Sequence, residues 1–193
     1  MPATGFMRRF CTRWGEPRFV CDVHLAKVAR LLRTMGFDTL WREGLEDEEL
    51  LALTRCGRIG LTCDRKLWER GCSRILLLAH GEATEQTGSV AARLGLGRWA
   101  VPLRRSLCCN RPVVPLSKER AMGRMPVRSY RWVGALWICP ACRRLYWRGT
   151  HAEKMAKNVL KTLSYGKTDK ILGDFCEEED TRKMVTPRGL EPL

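Results

Sequence analysis

The sequence predicts an α/β fold with a parallel sheet covered by helices on both faces, followed by a small cysteine-rich module and a C-terminal helix. Three observations predict it. Between residues 18 and 98, short apolar runs alternate with segments of helical periodicity, as expected of strands buried on both faces and joined by helical crossovers. Carboxylates follow closely after two of those runs. From Arg104 the patterning gives way to cysteines, prolines and arginines.

The elements follow in order. Residues 18–21 (RFVC) read as the first strand, and the helix after it repeats Leu25, Val28, Ala29 and Leu32 on one face until Gly36 ends it. Residues 38–41 (DTLW) form the second strand, and Asp47 can cap a helix containing Leu50, Leu51 and Leu53. Residues 59–62 (IGLT) are the third strand, with a short helical segment at 66–70. The strongly apolar run 75–78 (ILLL) is the fourth, and residues 85–94 are its helix. This first domain spans 18–98. The second, 104–163, closes on a helix that Thr150 and Glu153 can start as a capping box. Its Lys154, Lys157 and Lys161 share one side; Met155, Val159 and Leu163 share another. Trp132 and Trp137 are expected in the core. Residues 1–17 form a basic N-terminal segment, and the polar end 164–193 reads as a disordered tail.

Lys and Arg total 35 against 21 Asp and Glu, a formal charge of +14. That surplus excludes the balanced surface of an ordinary cytosolic enzyme and attracts polyanions, nucleic acid foremost. No apolar run is long enough to span a bilayer. Of the 10 cysteines, Cys11, Cys21, Cys56, Cys63 and Cys72 stand singly, while Cys108, Cys109, Cys139 and Cys142 fall in two groups. Such a distribution suits a reducing compartment and one metal site. The expectation is therefore an intracellular protein, cytoplasmic, although the basic start also suits an organelle-targeting peptide.

In an open parallel sheet, side chains at the carboxyl ends of strands converge where ligands bind. Asp22 directly follows the first strand and Asp64 follows the third by one residue; Asp47 and Glu48 open the helix after the second. Carboxylates gathered there repel one another unless a cation joins them, and an oxygen-rich site suits Mg²⁺ or Mn²⁺. Such ions activate water and stabilise the charge that develops in phosphodiester cleavage. Each acid also has a plainer reading. Asp47 can be an N-cap and Glu48 a helix-start acid, Asp38 a turn residue, and Asp64 with Arg65 a surface ion pair. Asp22 closes an apolar strand near the core edge and needs a partner of some kind.

Cys139 and Cys142, two residues apart, offer half of a tetrahedral zinc site. Around them, Arg104, Arg105, Arg111, Arg143, Arg144 and Arg148, with Lys154 and Lys157 beyond, can neutralise phosphates, while Tyr146 and Trp147 can stack on unpaired bases or pack the module against the first domain.

Three stretches, FVCDVHLAKVARLLRTMGFDTLW, DEELLALTRCGRIGLTCDRKL and CPACRRLYWRGTHAEKM, together resemble the Mut-seven C-terminal ribonuclease domain family. Its specific marks here are the Asp22 to Arg33 run, the Thr62-x-Asp64-Arg65 step, and Tyr146-Trp147 with His151 and Met155. The resemblance covers residues 18–163. It implies a PIN-like nuclease domain joined to a zinc ribbon, Asp22 and Asp64 as metal-binding acids with Asp47 or Glu48 as a third, and Mg²⁺ or Mn²⁺ as cofactor. It also implies that the partner is RNA, expected to be single-stranded, held by the basic ribbon with Arg65 near the acids. Two departures stand out. A further acid after the fourth strand is offered only by Glu82 or Glu85. The first Cys-x-x-Cys pair of the ribbon reads Ser106-x-x-Cys109, with Cys108 as an extra thiol, so zinc completes its shell with Cys108, water or His151, or the ribbon holds free thiols. A nucleic-acid-binding module without hydrolysis and a thiol redox or zinc-handling protein are the rival functions.

Overall fold

The structure, a computed structural model, describes residues 15–71 and 73–147. The expected C-terminal helix and tail, with Arg148, His151, Lys154 and Lys157, lie outside the described residues, as do residues 1–14.

Four parallel strands make the first sheet: β1 (Phe19–Cys21), β2 (Thr39–Leu40), β3 (Ile59–Thr62) and β4 (Ile75–Leu77), in the order β2-β1-β3-β4. The connecting helices are α1 (Ala26–Thr34), α2 (Asp47–Arg55) and α3 (Arg65–Arg70), and α4 (Ala83–Leu94) follows β4. The period-two alternation of strand side chains assigns them to faces. Phe19, Cys21, Ile59, Leu61 and Leu76 join Val28, Leu32, Val90 and Leu94 of α1 and α4 in one buried layer. Val20 and Ile75 point the other way, onto Leu50 and Leu51 of α2 and Leu67 of α3. Gly60 has no side chain because one would collide with Thr54 and Ile75 where α2 lies against the sheet. Burying each large apolar side chain contributes roughly 1.5–3 kcal/mol. Packing of this kind stabilises helices of 6 to 12 residues, which are marginal in isolation.

Gly36 ends α1 for a local reason. Its φ of +96° suits glycine, and a Cβ there would run into the Val101 carbonyl, whose own N–H donates to Met35 O at 2.9 Å.

The second sheet is antiparallel, with β5 (Val114–Leu116), β6 (Leu136–Ile138) and β7 (Leu145–Trp147) in chain order. A short helix, α5 (Val127–Trp132), lies in the β5–β6 connection. The expectation of Trp132 in the core is corrected here. Its side chain is 85% exposed, because the small cluster of Ala121, Val133 and Leu136 is filled from its margin by Trp147, Leu116 and Leu145 instead.

Candidate active site and metal centre

The strand order reverses at β1. The chain moves from β1 to β2 on one side and then returns to β3 on the other, so the crevice at the carboxyl ends of β1 and β3 is the switch point where open α/β sheets bind ligands. Asp22 and Asp64 both stand there. Asp22 N–H continues the ladder by donating to Leu61 O at 3.0 Å, and its carboxylate is fixed from two sides. Oδ2 accepts from the Thr62 hydroxyl at 2.7 Å, and Oδ1 accepts from His24 N–H at 3.3 Å. Thr62 Oγ1 in turn accepts from Asp64 N–H at 2.9 Å. One threonine thus ties the two acidic positions together across adjacent strands.

Asp22 is only 8% exposed, yet among the described residues neither it nor Asp64 has an ion-pair partner. A desolvated carboxylate without a counter-charge is costly. An oxygen-seeking cation would balance that charge. Beside Asp22, burial pushes the Cys63 thiol up, and although Gln86 Nε2 donates to its sulfur at 3.3 Å, the Asp22 charge adds to the rise. Cys63 is therefore held neutral.

Asp64 is exposed and caps α3, accepting from Lys66 N–H at 2.7 Å and Leu67 N–H at 3.4 Å. The suggested Asp64–Arg65 ion pair is not formed. Arg65 reaches one helical turn on, to Glu69 at 3.0 Å, while Asp64 turns back to the free N–H groups of the helix start. Asp47 likewise is not an N-cap. Glu46 holds that position without a side-chain bond, and Asp47 is the first helical residue. Arg70 of α3 bonds Asp47 Oδ2 at 3.1 Å and also bonds Glu48. Glu82 precedes α4 without capping it. Among the described residues, no three carboxylates bring ligand atoms within 4.8 Å of one another.

The second cluster is made of sulfur. Cys108, Cys109 and Cys142 lie within that 4.8 Å limit of one another, and Cys139 Sγ is 3.4 Å from Cys109 Sγ. The four come from two turns with one backbone pattern. In the first, Ser106 N–H donates to Arg111 O (2.8 Å) and Asn110 N–H to Ser106 O (3.0 Å), with Asn110 at φ +62°. In the second, Cys139 N–H donates to Arg144 O (3.0 Å) and Arg143 N–H to Cys139 O (2.8 Å), with Arg143 at φ +57°. Burial pushes the Cys142 thiol up, but bonds from Ser106, Arg144 N–H, Cys108 and Cys139 bring it down to about 6. Cys109 is lowered in the same way despite burial, whereas burial leaves Cys139 raised. A set of sulfur donors fits a thiophilic cation such as zinc.

The first turn is also docked onto the parallel sheet. Arg33 of α1, 4% exposed, donates to Leu107 O at 3.1 Å and Cys108 O at 3.0 Å while holding Thr39 O and Trp41 O. Asn110 accepts from Thr39 N–H at 3.0 Å and donates to Asp38 Oδ1 at 2.8 Å, which Arg58 also bonds. Asp38, expected to be a turn residue, is the hub of this junction. Burial raises the Asp38 carboxyl, but the hydrogen bonds from Arg58 and Asn110 and nearby arginine charge carry it below its ordinary value. Sequence reading missed this junction, because its signal, a lone Arg and a lone Asn, is indistinguishable from surface residues.

The expected nucleic-acid contacts divide. Arg143, Arg144 and Arg111 are exposed. Arg104 pairs with Glu16, and Arg105 donates to Asn110 O at 2.8 Å near Asp38. Tyr146 OH is 2.8 Å from Ser106 Oγ, and Trp147 packs on the small core. The β5–β6 connection exposes a basic and aromatic set not anticipated from the sequence, Trp132 with Arg120, Arg124, Arg128 and Arg131.

Among the described residues no helix is long and apolar enough to cross a membrane. The family model described as Mut7-C RNAse domain matches residues 17–159. No curated protein and no solved structure matches the chain.

Proposed function

The chain belongs to the Mut7-C RNAse domain family, and from that premise we propose that it is a metal-dependent ribonuclease acting on single-stranded RNA in a reducing intracellular compartment. One observation carries the reading beyond the family: the buried Asp22 carboxylate lacks an ion-pair partner among the described residues and is tied through Thr62 to Asp64 at the sheet's switch point. Asp22 and Asp64 would hold Mg²⁺ or Mn²⁺, with Asp47 or Glu48 joining on release from Arg70. Bound there, such an ion supplies an activated water and stabilisation of the charge on the cleaved phosphodiester.

The residues of the chain do the rest. Thr62 and His24 N–H orient Asp22 by bonding one carboxylate oxygen each, and each oxygen keeps a further lone pair for a cation. Arg65, beside Asp64, can meet a phosphate. Arg111, Arg143, Arg144 and the arginines around Trp132 supply the electrostatic grip, and Trp132 a stacking face for an unpaired base. The cysteine-rich sheet would be a structural zinc ribbon that holds this grip beside the nuclease domain. That Arg70 occupies Asp47 and Glu48 favours one rival, a module that binds RNA without cutting it.

Cleavage of labelled single-stranded RNA by the full chain with Mn²⁺, Mg²⁺ or EDTA separates the two. Asn caps a helix about as well as Asp, so Asp22→Asn with Asp64→Asn keeps the fold while removing the charges. Ion-dependent cutting that the double variant loses supports the nuclease. Binding without cutting by the wild-type chain, or equal cutting by the variant, removes the catalytic reading.

A further inference from the structure

The matching backbones of the two cysteine turns allow a residue-by-residue comparison. Their shared hydrogen bonds and left-handed residues align Ser106 with Cys139, Cys109 with Cys142, and Asn110 with Arg143. Ser106 therefore occupies the position from which Cys139 directs its sulfur into the cluster. It is fully buried there. Its Oγ lies 3.3 Å from the sulfurs of Cys108 and Cys109, 3.4 Å from that of Cys142, and 2.8 Å from Tyr146 OH. A serine hydroxyl keeps its proton near neutral pH and is a poor zinc ligand beside thiolates, but it is a good donor to them.

Cys108 has no counterpart among the sulfurs of the second turn, where Ala141 fills the aligned position. Its sulfur is nevertheless turned into the cluster, 3.3 Å from Cys142 Sγ. Adjacent side chains ordinarily diverge, so Cys108 and Cys109 reach one centre only if the backbone between them is held. Arg33 supplies that hold, through the carbonyls of Leu107 and Cys108.

We infer, on the zinc-ribbon reading above, that the metal site is rewired: Cys108, Cys109, Cys139 and Cys142 ligate a thiophilic divalent cation, and Ser106, standing in a ligand position, donates its one hydroxyl proton to a neighbouring thiolate instead. Tyr146 completes the arrangement by bonding the serine oxygen. The ligand lost at residue 106 is recovered two residues later, and the first domain's Arg33 makes the exchange geometrically possible.

Titration of the metal-free full chain with Co²⁺, followed by its ligand-field and sulfur-to-cobalt charge-transfer absorption, tests this. The wild-type chain is expected to give a tetrahedral spectrum. Cys108→Ser should lose about a quarter of the charge-transfer intensity, one thiolate of four, and weaken binding by more than the roughly tenfold that loss of an outer-shell partner costs. Ser106→Ala should keep the bands and weaken binding only by that smaller factor. The double variant Ser106→Cys, Cys108→Ser returns the thiol to the aligned position and should restore both intensity and affinity, which also separates ligand loss from misfolding. An unchanged spectrum in Cys108→Ser, or no restoration in the double variant, overturns the rewired site and leaves the zinc ribbon standing. A wild-type chain that gives no tetrahedral cobalt spectrum overturns the zinc ribbon itself.

Discussion

The switch-point acids and the sulfur cluster are both sets of candidate ligands, but they are assembled by different physical routes. Asp22 and Asp64 share one sheet edge because their strands are hydrogen-bonded neighbours, so regular backbone pairing sets their positions, and Thr62 links the Asp22 carboxylate to the Asp64 backbone. The cysteines meet across two turns and a domain junction, where Arg33, Asp38 and Asn110 hold one turn in place. A site built on strand ends tolerates the loss of one side chain without losing its frame. A site built on turns depends on individual contacts that sequence spacing does not reveal.

The largest effect should come from breaking the first site. Asp22→Asn with Asp64→Asn is expected to lower RNA cleavage at least by the roughly hundredfold that loss of one charge-stabilising group costs, with the urea midpoint of unfolding nearly unchanged. A collapse of stability in that variant would mean that the acids are framework rather than site. The opposite pattern is expected at the junction. Arg33→Met leaves four carbonyls without their shared donor and should cost roughly 3 kcal/mol in a urea titration, with a loss of metal affinity in parallel; a cost below about 1 kcal/mol would show that the two sheets do not depend on each other.

Smaller changes sharpen the contrast. Thr62→Val removes the hydroxyl shared by Asp22 and Asp64 and should cost about 1–2 kcal/mol of stability and lower cleavage between about tenfold and a hundredfold. Trp132→Ala, at an exposed site, should shift stability by no more than about 0.5 kcal/mol while weakening single-stranded RNA binding by about 1 kcal/mol, the low end for a stacked base. Unaltered RNA affinity at several salt concentrations would remove Trp132 from the binding face.

The smallest effect concerns pH. Because the folded Asp38 carboxyl lies below its ordinary value, its contribution to stability is present above the unfolded value of about 3.9 and is lost as pH falls through the folded value. Asp38→Asn should flatten the stability curve on the acid side of about pH 5. A wild-type curve already flat there would deny Asp38 its place in the junction.

Much of the parallel sheet was legible in the chain. Strand β3 falls on residues 59–62 as expected, β1, β2 and β4 are each shorter by one or two residues, and α4 starts two residues earlier than its apolar periodicity suggested. Strand-end position also put Asp22 and Asp64 at one edge of the sheet, after the adjacent strands β1 and β3. Helix-start chemistry failed for the Asp47 cap, since Glu46 takes that position and the sequence-distant Arg70 bonds the Asp47 carboxylate. Trp132 failed for a related reason: hydrophobicity names residues that can be buried, but the small antiparallel sheet has room for only a few of them.

What the sequence determined by itself is the alternation of strands and helices, the basic surplus, the acids after β1 and β3, and the grouping of the cysteines. Each is encoded in a residue's near neighbours, through side-chain periodicity and local backbone preference. The tertiary structure alone decided that β1 and β3 are adjacent at the switch point, that Arg70 holds Asp47 and Glu48, and that Arg33 and Asn110 dock the first cysteine turn beside β2. Those outcomes depend on which surfaces fit together once the helices cover the sheet, and no short stretch of the chain contains both partners.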